Sequence, residues 1–280
     1  MFHIGKIMKL VAAALALGTM ALAAGCGGSG DAGKSTAAGS KTIVVATRGT
    51  AKPFSYTDDN GQLTGFDVEI LKEVEKRDPS LHFEFKAMAV DAAFVAMDSQ
   101  QVDLIANQMR HTPARDKKYL YTKEVNNYTV RKLVVKKDRN DIQSLDDLKG
   151  KKVAIVTNGD MKQIVEEFNA KHQDNPIIPV YSDKGSVENL NLVATGRADA
   201  SGEYVYISKV AIEEQGLPLK VVGPVLRVFP THYLLRKDPE LQKAADKIDK
   251  AVAAMRADGT LKKLSEKYLF GDYTVKPEEK

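Results

Sequence analysis

The side chains best suited to holding an anion fall between Asp103 and Arg115, in the stretch DLIANQMRHTPAR. A guanidinium grips a carboxylate through two parallel charge-assisted hydrogen bonds, which a lysine cannot reproduce. Arg110 and Arg115 supply guanidinium groups, and Asn107, Gln108 and His111 add amide and imidazole groups. The apolar run Val102 to Ala106 predicts a buried strand of a parallel sheet, with the polar residues following at its carboxyl end. Ligands of open α/β sheets collect in the crevice outside that end. Thr112-Pro113 predicts the cap and first position of a helix or turn, which holds Arg115 beside the crevice. Taken alone, Arg115 reads more simply as a solvated arginine at a helix start, because short motifs often match by chance.

The elements around this stretch alternate. TIVVAT, residues 42–47, predicts a strand that leads into Arg48, Gly49 and the aromatic loop of Phe54 and Tyr56; Asp59-Asn60-Gly61 marks a turn. A helix opens at Thr64-Gly65-Phe66-Asp67 and turns Phe66, Ile70, Leu71 and Val74 inward. Residues 81–87 predict the next strand, and Asp91 caps a helix expected to bury Phe94, Val95 and Met97. After an extended crossing over residues 129–136 the pattern restarts. Residues 153–156 predict a strand, Asn158-Gly159 its turn and Asp160 a helix start, where free N–H groups can hold an anion. Strands at 177–181, 219–222 and 225–236 follow, then helices from Asp238-Pro239 and Leu261. Strands alternating with helices in this way imply parallel βαβ units covered on both faces.

Several motifs, in this order, resemble the polar amino-acid-binding proteins of ABC importers, the family 3 solute-binding proteins. They are PFSYTDDNGQLTGFDVEILKEV, the D-hydrophobic-hydrophobic…T-P-x-R segment ending at Arg115, SLDDLKGKKV, ADASGE and DGTLKKLSEKYL. The resemblance spans residue 42 to about 273. Ala106-Asn107-Gln108 looks most like the cystine-binding branch. It implies an α/β, two-lobed periplasmic-binding-protein fold, each lobe a mostly parallel sheet flanked by helices, joined by two crossing strands. Residues 42–129 with 231–275 would form lobe 1 and 134–226 lobe 2. It also implies that Arg115 binds the ligand α-carboxylate and Glu203 its ammonium, with Phe54 or Tyr56 flanking the ligand side chain and Gly159 helping to hold the carboxylate. Departures are Val90 in place of tryptophan, Asn158-Gly159-Asp160 in place of Gly-Thr or Gly-Ser, with the Asp160 carboxylate competing with the ligand's, and glutamate at 203 in place of aspartate.

The amino terminus carries a different message. Lys6 and Lys9 precede an uncharged stretch rich in Ala and Leu that ends in Ala23-Ala24-Gly25-Cys26. Residues 1–25 read as a signal peptide and Cys26, the only cysteine, as a lipoprotein processing site that acylation, palmitate included, would tether to a membrane. Residues 26–41 then form a lipidated flexible linker. Removing residues 1–25 takes away two lysines and no acid, leaving 39 basic side chains of 41 against 37 acidic. Such balance gives no support to nucleic-acid binding. The five histidines lack the paired spacing of a metal site, and neither a cofactor nor a metal is implied.

The expected role is thus an extracytoplasmic, lipid-anchored monomer that captures an amino acid and delivers it to an ABC permease and ATPase. Arg48 and Arg110, beyond the arginine needed for the α-carboxylate, would receive a second carboxylate and repel cationic ligands, or else point to solvent. Gln108 or a backbone carbonyl would accept the far ammonium of cystine. L-cystine is therefore expected first. Two other readings stay open: an arogenate or prephenate dehydratase on the same fold, with His111 or Glu203 as acid or base, and a ligand sensor docking on a membrane partner.

Overall fold

The computed structural model describes residues 41–278; the signal segment, Cys26 and all but the last residue of the linker lie outside them. The first elements are β1 (Lys41–Thr47), the small strands β2 (Thr50–Ala51), β3 (Ser55–Thr57) and β4 (Leu63–Thr64), α1 (Phe66–Arg77), β5 (Leu81–Ala87), α2 (Val90–Asp98), β6 (Leu104–Met109), α3 (Pro113–Lys118) and β7 (Tyr119–Tyr121). The crossing strand β8 (Asn127–Lys136) leads to β9 (Lys152–Val156), α4 (Asp160–Lys171), β10 (Ile178–Ser182), α5 (Ser186–Ala194), β11 (Ala200–Tyr204) and α6 (Val205–Glu213). The chain returns along β12 (Leu219–Arg236) and ends with α7 (Pro239–Ala257) and α8 (Thr260–Leu269).

The fold is two-lobed α/β. One half is the parallel trio β5-β1-β6 and the other the parallel trio β10-β9-β11, with β7, β8 and β12 pairing antiparallel. The central strands of the trios, β1 and β9, read as apolar runs, whereas the edge strand β5 alternates buried and exposed residues. Ile43, Val45, Phe66, Leu104 and Ile248 belong to one core; Leu133, Val153, Ile155 and Ile164 belong to another. Two of the sequence-predicted helix starts have their caps: Thr112 Oγ1 accepts the Arg115 N–H at 3.2 Å, and Asp238 Oδ1 accepts the Glu240 N–H at 2.8 Å.

Four expectations are corrected. Strand β6 runs to Met109, so Asn107 and Gln108 lie inside the strand rather than past its end. Val95 is 69% exposed, because the inward face of the nine-residue helix α2 is taken by Ala93 and Met97. The expected strands 219–222 and 225–236 are one 18-residue strand, and its pairing with β8 shifts register between Val222 and Arg227. Since β12 pairs first with β8 and then with β6 and β7, the strand path runs unbroken from one half to the other. Finally, α6 follows β11 directly, where no helix is expected from its β-branched sequence VYISKVAIE.

Gly65 locks the aromatic loop onto α1. Its φ is +117°, and a Cβ there would lie 2.5 Å from the Phe54 carbonyl oxygen. The same close approach lets Phe66 and Asp67 donate their N–H groups to Pro53 O and Phe54 O, each at 3.0 Å. Backbone strain of this kind costs on the order of 1–3 kcal/mol, so Gly65→Ala should lower the calorimetric melting temperature by about 2–12 °C. An unchanged melting temperature would mean that the loop yields freely.

Candidate functional site

Between the two halves lies a cavity of about 310 Å³, lined by Arg48, Ala51, Lys52, Phe54, Asn107, Gln108, Tyr204, Tyr206 and Ile207. The first four come from the loop after β1, the amides from β6, and the last three from the β11–α6 junction. The Phe54 and Tyr206 rings meet edge to face at 4.6 Å, and Tyr204 stacks on Tyr206 at 5.6 Å. Asn107 Oδ1 accepts the Arg48 N–H at 3.2 Å, tying β6 to the loop. Lys52 pairs with Glu214 at 2.7 Å. The charged lining groups are Arg48 and Lys52, and because Lys52 is paired with Glu214 the positive charge offered to a ligand carboxylate comes mainly from Arg48.

A second set of charges comprises Arg110, Arg115, Arg131 and Asp160. Arg115 sits half-buried with its guanidinium 5.0 Å from the centre of the Phe94 ring, and its Nη1 donates to Arg110 O at 3.4 Å. Tyr121 Oη donates to the same carbonyl at 2.9 Å. The Arg110 guanidinium lies over Phe229 at 4.3 Å and 3.9 Å from the Asp160 carboxylate. Arg131, buried on β8, donates to Asp160 Oδ1 at 2.8 Å and to Gly202 O, and covers Tyr204 at 4.2 Å. Burial pulls the Arg131 pKa down, and the charges of Tyr204, Asp160 and Glu203 more than offset it, leaving it above the ordinary value.

The sequence-predicted residues therefore divide. Arg48, Phe54, Asn107 and Gln108 meet at the cavity, while Arg110, Arg115, Tyr56, Gly159 and Glu203 are not part of its lining. Glu203 is only 1% exposed; its Oε1 accepts from Asn189 Nδ2 at 2.8 Å and from Ser201 Oγ at 2.9 Å, and Oε2 lies 3.9 Å from Arg131. Its carboxylate thus faces the interior of its own half. The Gly159 N–H is already given to Val156 O at 2.9 Å. Tyr56 lies in the β2-β3-β4 sheet, beneath Lys52 at 5.2 Å.

Residues not foreseen are Asp67, Arg131, Tyr204 and Tyr206. Asp67 was legible only as a helix-start acid, and its burial depends on the Gly65 approach. Arg131 sits in a run that reads as an ordinary half-buried strand, and only its pairing with β11 brings it to Glu203 and Asp160. Tyr204 and Tyr206 owe their place to α6, which was not foreseen. Among the described residues no group of three or more metal-ligating side chains occurs, and no helix is long and apolar enough to cross a membrane.

The sequence pattern of the bacterial extracellular solute-binding proteins, family 3, matches residues 43–272. The L-cystine-binding protein TcyJ of Bacillus subtilis is 31% identical over 254 residues, covering 91% of this chain and 93% of the relative. The L-cystine-binding protein TcyK of the same organism is 33% identical over 250 residues, covering 88% and 91%. Among solved structures, the probable amino-acid ABC transporter extracellular-binding protein ytmK from Bacillus subtilis superposes with a TM-score of 0.76 at 32% identity, covering 84% of this chain and all of that one.

Proposed function

Since the chain belongs to the bacterial extracellular solute-binding proteins of family 3, and is a solute receptor rather than an enzyme, we propose that it binds L-cystine and delivers it to an ABC permease and ATPase. The observation that carries this is the cavity itself, whose charged lining groups are cations and whose other polar groups are two amides and two tyrosines. Cystine has two carboxylates; in this reading Arg48, which lines the cavity, takes one, and Arg115, outside the lining, takes the other once the lobes close on the ligand. Phe54, Tyr204 and Tyr206 flank its disulfide, and sulfur against an aromatic ring is a favourable contact. Glu203 acts through Arg131, to which it lies close, rather than by direct contact with the ammonium.

The lobes in this reading comprise residues 42–129 with 231–275, and 134–226, and they close on the ligand about β8 and β12. Cys26 carries a lipid that holds the receptor at the outer face of a membrane, and the receptor acts as a monomer. The dehydratase alternative loses its support, because the family and the relatives are binding proteins. A thermal-shift panel of amino acids under non-reducing conditions tests the specificity. L-cystine should raise the melting temperature, with glutamate and aspartate weaker and arginine and lysine without effect. Stabilisation by arginine or lysine and none by cystine would overturn it.

A further inference from the structure

Gln108 holds a backbone φ of +52°, in the left-handed region that side chains other than glycine rarely adopt. It sits where the pairing of β6 with β12 slips between His232 and Leu234, an irregularity of the kind that re-aims a side chain next to a site. One residue holds it there. Asp67 Oδ2 accepts the Gln108 backbone N–H at 3.2 Å, and Asp67 Oδ1 accepts the side-chain Nε2 at 2.6 Å. Gln108 lines the cavity, and with Nε2 bound to Asp67 the other end of its amide, Oε1, is buried with no hydrogen-bond partner. A buried acceptor without a donor is costly, and a ligand ammonium supplies the donor.

We propose that Asp67 is a positioning residue: it fixes which end of the Gln108 amide faces the ligand, and so makes Gln108 Oε1 the acceptor for a ligand ammonium group. This rests on the reading that the ligand is an amino acid held in the cavity. As a carboxylate, Asp67 accepts both Gln108 donors. Once protonated, it carries a hydroxyl that needs an acceptor, and the amide within reach satisfies it by turning over. Oε1 then faces Asp67 and Nε2 faces the ligand, where a second donor repels an ammonium.

The surroundings place this change in an accessible range. Asp67 is 1% exposed, and burial pushes its carboxyl up to about 7, against the two hydrogen bonds from Gln108 that favour the charged form. The titratable side chains facing it are Tyr206 of α6 and Tyr233 of β12, the latter through a 2.8 Å hydrogen bond from its hydroxyl to Asp67 O. Burial drives both phenols well above their ordinary value, so they stay neutral while Asp67 titrates. The sign follows: above about pH 7 Oε1 is presented and an ammonium is bound, and below it the acceptor is withdrawn.

The test combines calorimetric titration with L-cystine at pH 6 and pH 8 with the pH titration of the Gln108 side-chain amide resonance in a 15N-labelled chain, assigned by its loss in Gln108→Ala. The wild-type affinity should fall by up to about tenfold from pH 8 to pH 6, the limit for one group titrating near 7, and the resonance should shift with a midpoint near 7. Asp67→Asn, which can donate to Oε1 at any pH, should bind at the weak level throughout and show a resonance that does not titrate. A Gln108 resonance insensitive to pH in the wild type, or a wild-type pH profile in Asp67→Asn, would overturn the proposal. If the wild type binds no L-cystine at either pH, the ligand reading fails, and the resonance alone then decides the role of Asp67.

Discussion

Arg115→Ala is expected to weaken L-cystine binding by roughly two to four orders of magnitude. A guanidinium gripping a carboxylate inside a closed cleft is one partner of a buried charge pair, and removing one partner commonly costs about 3 to 5 kcal/mol. The local geometry argues for a prepared group: the backbone N–H of Arg115 is fixed by Thr112, and its guanidinium is supported by the Phe94 ring and Arg110 O. The fold should tolerate the change, because no acid among the described residues forms an ion pair with Arg115. Calorimetry finding wild-type affinity in a folded Arg115→Ala chain would remove Arg115 from the site and leave Arg48 to hold the carboxylate.

Arg131→Met is expected to act on stability instead. Its loss leaves Glu203, which is almost fully buried and whose Oε2 has no hydrogen-bond donor, without its neighbouring cation, whereas Asp160 keeps Arg110 at 3.9 Å and Tyr204 Oη at 3.3 Å. An uncompensated buried carboxylate costs about 3 to 5 kcal/mol, which for a chain of this size lowers the melting temperature by roughly 6–20 °C. Combining Arg131→Met with Glu203→Gln should recover a substantial part of that loss, since the stranded charge is then gone. Scanning calorimetry in which the double variant melts no higher than Arg131→Met would show that Arg131 stabilises through packing on Tyr204 rather than through charge.

These two arginines also mark how far the sequence could be read. Arg115 was legible because a strand, a Thr-Pro cap and a short helix are all local, and local signals set its position. Arg131 was not, because its partners lie 29 and 72 residues away and meet it only when β8 pairs with β11. Strands β1, β6 and β9 were legible from their apolar runs and β5 from its alternation, whereas β11, reading ASGEY, was placed only by resemblance. Helix α6 was hidden by β-branched residues that favour strands in isolation, and tertiary packing of Tyr206 against Phe54 overrides that preference. Glu203 was read as an acid at a strand end, whereas Asn189, Ser201 and Arg131 compensate its burial from other elements. Glutamate is almost never fully buried unless it is paired, and the pairing is what a single sequence conceals.

The most direct measurement of the account is an isothermal titration of residues 26–280 with L-cystine under non-reducing conditions, run beside L-arginine and L-lysine. One saturable site for L-cystine, abolished or weakened at least a hundredfold in Arg115→Ala, with no heat from the basic amino acids, is the predicted result. Saturable binding of L-arginine or L-lysine with none of L-cystine would contradict it.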